Sequence, residues 1–372
     1  MTGSWPKKRL AMNNPTTGVE LLTVGLDLGD KHIYVCVLDQ AGEIVEEARL
    51  ATKASALERR FAGREPVRMV MEAGTHSPWV SRLLAELGHE VIVANPRKLR
   101  LIYTNESKSD RVDAEYLARV GRLDPALLSP LSHRGKETQE DLALVRSRAA
   151  LVRARTQLVN HVRGTVKSLG SRLPTCQAAV FAVRVESALP EGLRPALAPV
   201  VAAIAGLTGE IRVLEKKIEQ AAKERYPETA LLRQVPGVGL LTALSFQLTI
   251  EDPARFPKSR SVGSYLGLRP KKRDSGSTSP QLRITKAGDA QVRFLLVSAA
   301  HYILGPFGPD SDLRRWGLRL AEKGGKNAKK RAAVAVARKF SVLLLRLWQT
   351  GETYEPLRVS SRKGAGSSLM TG

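Results

Sequence analysis

The sequence predicts an α/β region over residues 21–130 followed by a mostly helical chain. Three observations carry this reading. Short β-rich runs separated by turn residues fill the first part, and two later runs alternate with helical stretches. After Pro130 come two long segments rich in Ala, Leu, Arg and Glu. The 372-residue length and 43% hydrophobic content are enough for two or three domains with real cores.

The elements follow in order. "LTVGLDLG", "HIYVCVLD" and "EIVEEARL" are strand-like, and Gly29-Asp30-Lys31 and Gln40-Ala41-Gly42 punctuate them as hairpin turns. Three such runs predict an antiparallel meander. A helix near 53–61, strand "VRMVMEA", a helix near 78–87 and strand "EVIVANP" then predict a mixed sheet with helices on its faces. A further helix starts near Ser109. Residues 136–169 and 200–225 read as two long helices forming an antiparallel pair, with Pro174, Pro190, Pro195 and Pro199 in the connection. A third region opens at Tyr226 with "LLRQVPGVGLLTALSF" and closes on the helix "NAKKRAAVAVARKFSVLLLRLW". The first 20 residues and those after 355 read as disordered extensions.

Charge narrows the function classes. A formal net charge of +23 implies a polyanionic partner, because clustered cations displace counterions from a phosphate backbone. Cys36 and Cys176 stand alone, which provides neither a disulfide framework nor a cysteine metal cluster and fits a reducing, cytoplasmic setting. No run of 18 apolar residues is present, so no membrane span is expected, and the N-terminus lacks the apolar core of a secretory signal.

Four carboxylates carry candidate chemistry. Asp27 sits within the first strand, on one face with Gly25 and Gly29. An ionised Asp there is costly unless a cation offsets its desolvation. Glu72 ends the strand "VRMVME", at the carboxyl edge where sites are often built. Asp110 and Asp113, three apart, share one face at a helix start. Helix capping explains such a pair equally well, though a divalent ion would relieve its repulsion. A meander with Asp on strand one, Glu on strand four and two Asp on the next helix is an RNase H-like layout. Oxygen donors without His or Cys suit Mg²⁺ or Mn²⁺ as cofactor.

The stretch "RPKKRDSGSTSPQLRITKAGDAQVR" is the second candidate. It places four hydroxyl residues at 275–279 among Arg269, Lys271, Lys272, Arg273, Arg283, Lys286 and Arg293. Read alone it is either a solvated turn or a hydroxyl among phosphate-binding cations. In "VPGVGLLTAL", Gly237 and Gly239 open a helix in the manner of a helix-hairpin-helix element, whose backbone N–H groups can hold a phosphate. The cationic helix faces at 146–163 and 326–338 suit backbone contacts.

The chain resembles the insertion-sequence-110 family of transposases, also called DEDD transposases, with the related Piv-type DNA invertases. The stretches that carry the likeness include "VGLDLGDKHIYVCVLD", "VMEAGTHSPWVSRLLAELGHEVIVANPRKLR", "KSDRVDAEYLARV", "LLRQVPGVGLLTALSF", "FPKSRSVGSYLGLRPKKRDSGS" and "ITKAGDAQVRFLLVSAA". The resemblance implies a RuvC-like domain at 21–130, a coiled-coil spacer at 131–225 and a C-terminal domain at 226–355 with a catalytic serine. It carries the DEDD set onto Asp27, Glu72, Asp110 and Asp113. The serine falls on Ser275, with Ser277 the best substitute and Ser264 a packing or capping residue. It further implies DNA as substrate, a structured guide RNA from the element, and a homodimer or homotetramer working at the nucleoid. One departure is "AGTHSPW" after the glutamate, where family members often show Thr-Gly-Gly/Asn-Tyr; His76 there reads first as a loop histidine and second as a residue near the site. The competing readings are a RuvC-like nuclease using water, a site-specific DNA invertase, and a non-catalytic nucleic-acid-binding scaffold.

Overall fold

The computed structural model describes residues 22–99, 109–276, 278, 280, 282–322, 324–325 and 327–358. The extension expected at 1–20 lies outside these, as do Ser277, Lys326 and residues 359–372 of the expected tail. The start of that tail is held in place: Pro356 O accepts a hydrogen bond from Asp312 N at 2.8 Å. The chain divides after Arg134 into two compact units.

In the first unit, β1 (Thr23–Leu28), β2 (His32–Leu38), β3 (Ile44–Ala51), β4 (Arg68–Glu72) and β5 (Glu90–Ala94) form one mixed sheet in the order β3-β2-β1-β4-β5. β1, β2 and β3 pair antiparallel, while β4 lies parallel to β1 and β5 parallel to β4. Strand alternation sorts the two faces. Val24, Leu26, Val35, Met69 and Met71 turn toward α1 (Ala54–Phe61) and α2 (Ser77–Glu86), where they bury with Leu57, Phe61, Val80 and Leu84. The opposite face carries Cys36, Leu38, Val70 and Ile92 under α3 (Asp110–Leu123), packed on Ala114, Leu117 and Ala118. The antiparallel meander and the mixed sheet expected from the sequence are both present.

The second unit begins with α4 (Lys136–Ser168), continues through the short α5 (Phe181–Glu186), and returns along α6 (Arg194–Arg225). Cross-helix partners fix the direction. Asp141 meets Arg225, Arg148 meets Glu215, Arg155 meets Thr208, and Val159 and Val162 cluster with Ile204 and Val201. As one residue number rises the other falls, so α4 and α6 are antiparallel as expected. The start of α6 is a correction: the helix begins at Arg194, and Pro195 and Pro199 both lie inside it rather than in the connection. Proline fits the first turn because the N–H it lacks has no partner there; Pro199, one turn further in, removes only one helical bond. Glu191–Arg225 is long and apolar enough by length and composition to cross a membrane. Leu197, Val201, Ile204, Ile211 and Ile218 are nevertheless buried within this unit.

Beyond Tyr226, α7 (Thr229–Leu232), α8 (Leu240–Ile250), α9 (Val262–Tyr265), α10 (Ala290–Leu304), α11 (Asp312–Glu322) and α12 (Ala328–Thr350) enclose the largest core. Phe246, Val262, Leu296, Val336, Phe340 and Leu344 lie at its centre.

Candidate active site

The first unit brings the carboxylates to one end of one face. β1 and β4 register as Gly25 with Val70 and Leu26 with Met71. Continued by one residue, this register sets Asp27 beside Glu72, on strands spaced about 4.8 Å apart. Both follow the parity of Gly25 and Val70, so both face α3. That helix rests on Gly25: an added Cβ there would lie 1.9 Å from Ala114 O. Its far end lies over Val70, 2.4 Å from where a Cβ on Gly121 would sit, and Arg68 Nη1 donates to Gly121 O at 3.3 Å. Followed back from Gly121 through Ala114, α3 thus runs toward the Asp27–Glu72 end, and Asp113 and Asp110 occupy its first turn there. Ser109 caps the helix, its hydroxyl accepting from Val112 N at 3.4 Å.

Adjacent carboxylates on one face repel unless a cation lies between them. Asp27, Glu72 and Asp113 each have interactions within the fold. Among the described residues no three His, Cys, Asp or Glu side chains are drawn together as a ready ion cage. The donor chemistry fits a hard divalent ion, and such ions keep several waters and need only one or two carboxylates each.

The loop after Glu72 is fastened by residues that the sequence reading left unassigned. Ser77 is fully buried; its hydroxyl bonds Gly74 O and His133 Nε2, both at 2.9 Å. Burial lowers the His133 pKa, and nearby Arg82 and Arg134 lower it further. His76, expected near the site, bridges to the β1–β2 turn through Nε2 and Asp30 Oδ1 at 3.1 Å. Trp79 Nε1, which can only donate, bonds His76 Nδ1 at 3.2 Å and so fixes which nitrogen carries the hydrogen. No charge or spacing pattern in the sequence marks Ser77 with His133, which are 56 residues apart.

The second unit builds the serine loop on a short two-stranded stem. Lys271 N donates to Arg283 O at 2.9 Å, Thr285 N to Arg269 O at 2.9 Å, and Lys286 N to Gly267 O at 3.1 Å. Gly267, at φ +69°, passes so close to Ala287 that a Cβ would lie 2.3 Å from its N and O. At the tip Ser275 and Thr278 exchange backbone bonds of 3.2 and 3.1 Å, with Gly276 at φ +54° in the turn. Ser275 is exposed, its hydroxyl 3.3 Å from Thr278 Oγ1.

The cations divide into two groups. Arg269, Lys271, Lys272, Arg273 and Arg283 make no ion pair among the described residues, and all five are exposed. Lys286 takes a left-handed conformation at φ +54° in the stem. Arg293 is a clasp: its Nη1 donates to Ala287 O at 2.7 Å and Leu266 O at 3.1 Å, tying the two ends of the stem together. The face at 146–163 is likewise partly structural, since Arg146 pairs with Asp289, Arg148 with Glu215, and Arg163 stacks on Phe181. Gly237 is required by φ +87° and by Tyr302, whose Cδ1 is 3.1 Å from where a Cβ would sit. Gly239 meets nothing and leaves the start of α8 without a side-chain cap.

Ser264 is half-buried beside an open cleft of about 800 Å³. Lys258, Arg260 and Arg338 line it together with Arg269 and Lys272. Lys258 and Arg260 lie just before α9, and Arg338 joins them only through the packing of α12.

Comparison with known proteins gives two family matches, the first of which runs from the first unit into α4 of the second. Residues 24–170 match the DEDD-type IS110 family, described as transposase, and residues 229–311 match the transposase IS116/IS110/IS902 family. Together the two matches take in more than half of the chain. The transposase for insertion sequence element IS1111A of Coxiella burnetii is 27% identical over 90% of this chain and 92% of its own length. The putative transposase y4pF/y4sB of Sinorhizobium fredii is 29% identical over 83% of this chain and 80% of its own. The pilin gene-inverting protein of Moraxella bovis is 25% identical over 73% of this chain and 76% of its own.

Proposed function

We propose, on the premise that this chain belongs to the IS110 family of DNA transposases, that it cuts and rejoins DNA through a covalent bond to Ser275. What supports this reading is the β1–β4 register of Gly25 with Val70 and Leu26 with Met71, which continued by one residue sets Asp27 beside Glu72, together with the start of α3 at Asp110. The sheet order and its antiparallel-then-parallel pairing support an RNase H-like, RuvC-type domain. Buried positions on α6 at 197, 201, 204, 208, 211, 218 and 222 recur at heptad spacing, which supports a coiled-coil spacer.

In this mechanism Ser275 Oγ attacks a DNA phosphorus and its proton passes to solvent. The P–O bond to the neighbouring deoxyribose breaks, leaving a sugar hydroxyl and a phosphoserine diester. A hydroxyl of the partner strand then attacks that diester and releases the serine. One phosphodiester is consumed and one is formed, so no nucleotide cofactor is required. A serine hydroxyl is a weak nucleophile near neutral pH. Two divalent ions, Mg²⁺ or Mn²⁺, held by Asp27, Glu72, Asp110 and Asp113 would supply Lewis-acid polarisation of the phosphate. Arg269, Lys271, Lys272, Arg273, Arg283 and Lys286 carry backbone phosphates. The Gly237–Gly239 turn offers the N–H groups that open α8. The excess of positive charge and the family likeness also support a structured guide RNA and a dimer or tetramer.

The test is a denaturant-resistant protein–DNA adduct. An element-end duplex, Mg²⁺ and the element's RNA should yield it, and Ser275→Ala should abolish it. Cleavage that survives Ser275→Ala would instead favour a nuclease using water. Likeness to the gene-inverting protein supports inversion as the second reading. The product decides between them: a circular or inserted element in one case, a reversed segment in the other.

A further inference from the structure

The basic cleft of the second unit has no role in the reading above beyond Arg269 and Lys272. Five cations converge on it from three separate stretches: Lys258 and Arg260 before α9, Arg269 and Lys272 on the serine-loop stem, and Arg338 on α12. Arg338 is admitted because residue 263 is glycine; a Cβ there would lie 2.9 Å from Arg338 Cγ. No carboxylate lines the cleft, and none of the five cations is ion-paired among the described residues. Elsewhere in the same unit arginines do find partners, as in Arg146–Asp289, Arg225–Asp141 and Arg315–Asp310. All five cleft cations are exposed, so their mutual repulsion in water is modest, and a polyanion running past them meets several cations at once. Among the described residues no aromatic side chain lines the cleft, so they offer no stacking platform for bases. Its remaining polar groups are serine hydroxyls such as Ser264, which suit phosphate oxygens.

We infer that this cleft grips the sugar-phosphate backbone of the DNA strand that Ser275 attacks, independent of its sequence. Lys272 is three residues from Ser275. Three residues span at most about 11 Å. One strand presents a phosphate about every 3.4 Å of axis, so the phosphate held by Lys272 lies within a few positions of the scissile one. The inference rests on the serine reading for the identity of the strand, but not for the binding itself.

The experiment uses the full chain with Ser275→Ala, so that only binding is measured, on a short duplex of arbitrary sequence across a salt series. Arg260→Gln with Arg338→Gln removes two cations and keeps the arginine stem's packing on Gly263. The slope of log K against log salt should fall in magnitude by about 1.8, which is 0.9 per lost phosphate contact. Between 50 and 200 mM salt the parent should then lose about tenfold more affinity than the variant. Lys216→Gln with Lys217→Gln, on the exposed side of α6, removes the same net charge and should leave the slope unchanged. An unchanged slope in the cleft variant, an equal fall in the α6 control, or a fall for structured RNA but not for duplex DNA would each overturn the inference. With Ser275 intact, neutral methylphosphonates within three positions of the adduct should abolish the difference between parent and cleft variant. A complete lack of adduct would count against the serine reading alone, while the salt slopes would still decide the cleft.

Discussion

Gly25→Ala tests how the sheet and α3 are assembled into a site. The new Cβ would lie 1.9 Å from Ala114 O and 2.7 Å from Ala118 N, both backbone atoms that cannot rotate away. Ordinary carbon–oxygen contacts begin near 3.3 Å, so α3 must move by about 1.4 Å. Overpacking of this kind costs about 1–3 kcal/mol, and rigid neighbours place this case at the upper end. For a unit of this size that corresponds to a melting point roughly 10–20 °C lower. The same movement carries Asp110 and Asp113 away from the Asp27–Glu72 row. A misplacement of 1 Å can slow a positioned reaction about 100-fold, so adduct formation should fall at least that far at temperatures where the variant is still folded. Calorimetry and amide exchange on β1 and β4 measure the first effect, and denaturing gels the second. Gly164→Ala is the contrast: it lies in α4 with nothing within 4 Å of an added Cβ. It should stabilise by about 0.5–1 kcal/mol through reduced unfolded-state entropy. If Gly25→Ala melts within about 2 °C of the parent and reacts at the parent rate, the packing argument and the site built on it are wrong.

Four further outcomes follow from particular contacts. Gly267→Ala forces φ +69° and a 2.3 Å approach to Ala287 onto an alanine, so the serine loop should lose its stem and the adduct should vanish, while amide exchange in β1 and β4 stays at the parent rate. Asp289→Ala should cost about 1 kcal/mol in urea unfolding, because the carboxylate caps α10 through Gln291 and Val292. Burial works to raise the Asp289 pKa, but bonds from Val292, Arg146 and Gln291 outweigh it and hold it below 3.8. Its contribution is thus present above the ordinary carboxyl range and lost as pH falls through the depressed folded value, so an acid profile unchanged by the substitution would refute the assignment. Tyr226 is pushed up to about 12 by burial and by its bond to Asp141. Parent stability should drop as pH rises from about 10 to 12, and Tyr226→Phe should remove that step from the alkaline unfolding profile. Arg155 sits at the α4–α6 contact with Nε unbonded among the described residues and a pKa lowered by burial. Arg155→Met should raise stability by about 1 kcal/mol, and a loss on urea unfolding would contradict that reading.

What the sequence by itself determined is local and periodic. Alternation in "VGLDLG" placed Asp27 opposite the core face, and turn residues between the first three runs gave the meander, because strand parity and turn chemistry act over a few residues. The long Ala- and Leu-rich segments gave the antiparallel helical pair by the same logic, and the order of carboxylates gave the candidate site. The start of α6 was misplaced because proline in a first helical turn looks, in sequence, like proline in a connection. Only the tertiary structure decided which charges have partners. Arg293, counted among the loop's phosphate-binding cations, is occupied by the carbonyls of Leu266 and Ala287. Arg338, 69 residues after Arg269 in the chain, joins the loop's cations in one cleft. Gly25 and Ala114 are separated by nearly 90 residues, yet their contact sets where α3 lies on the sheet. Such pairings depend on packing between elements distant in the chain, which local propensity does not encode.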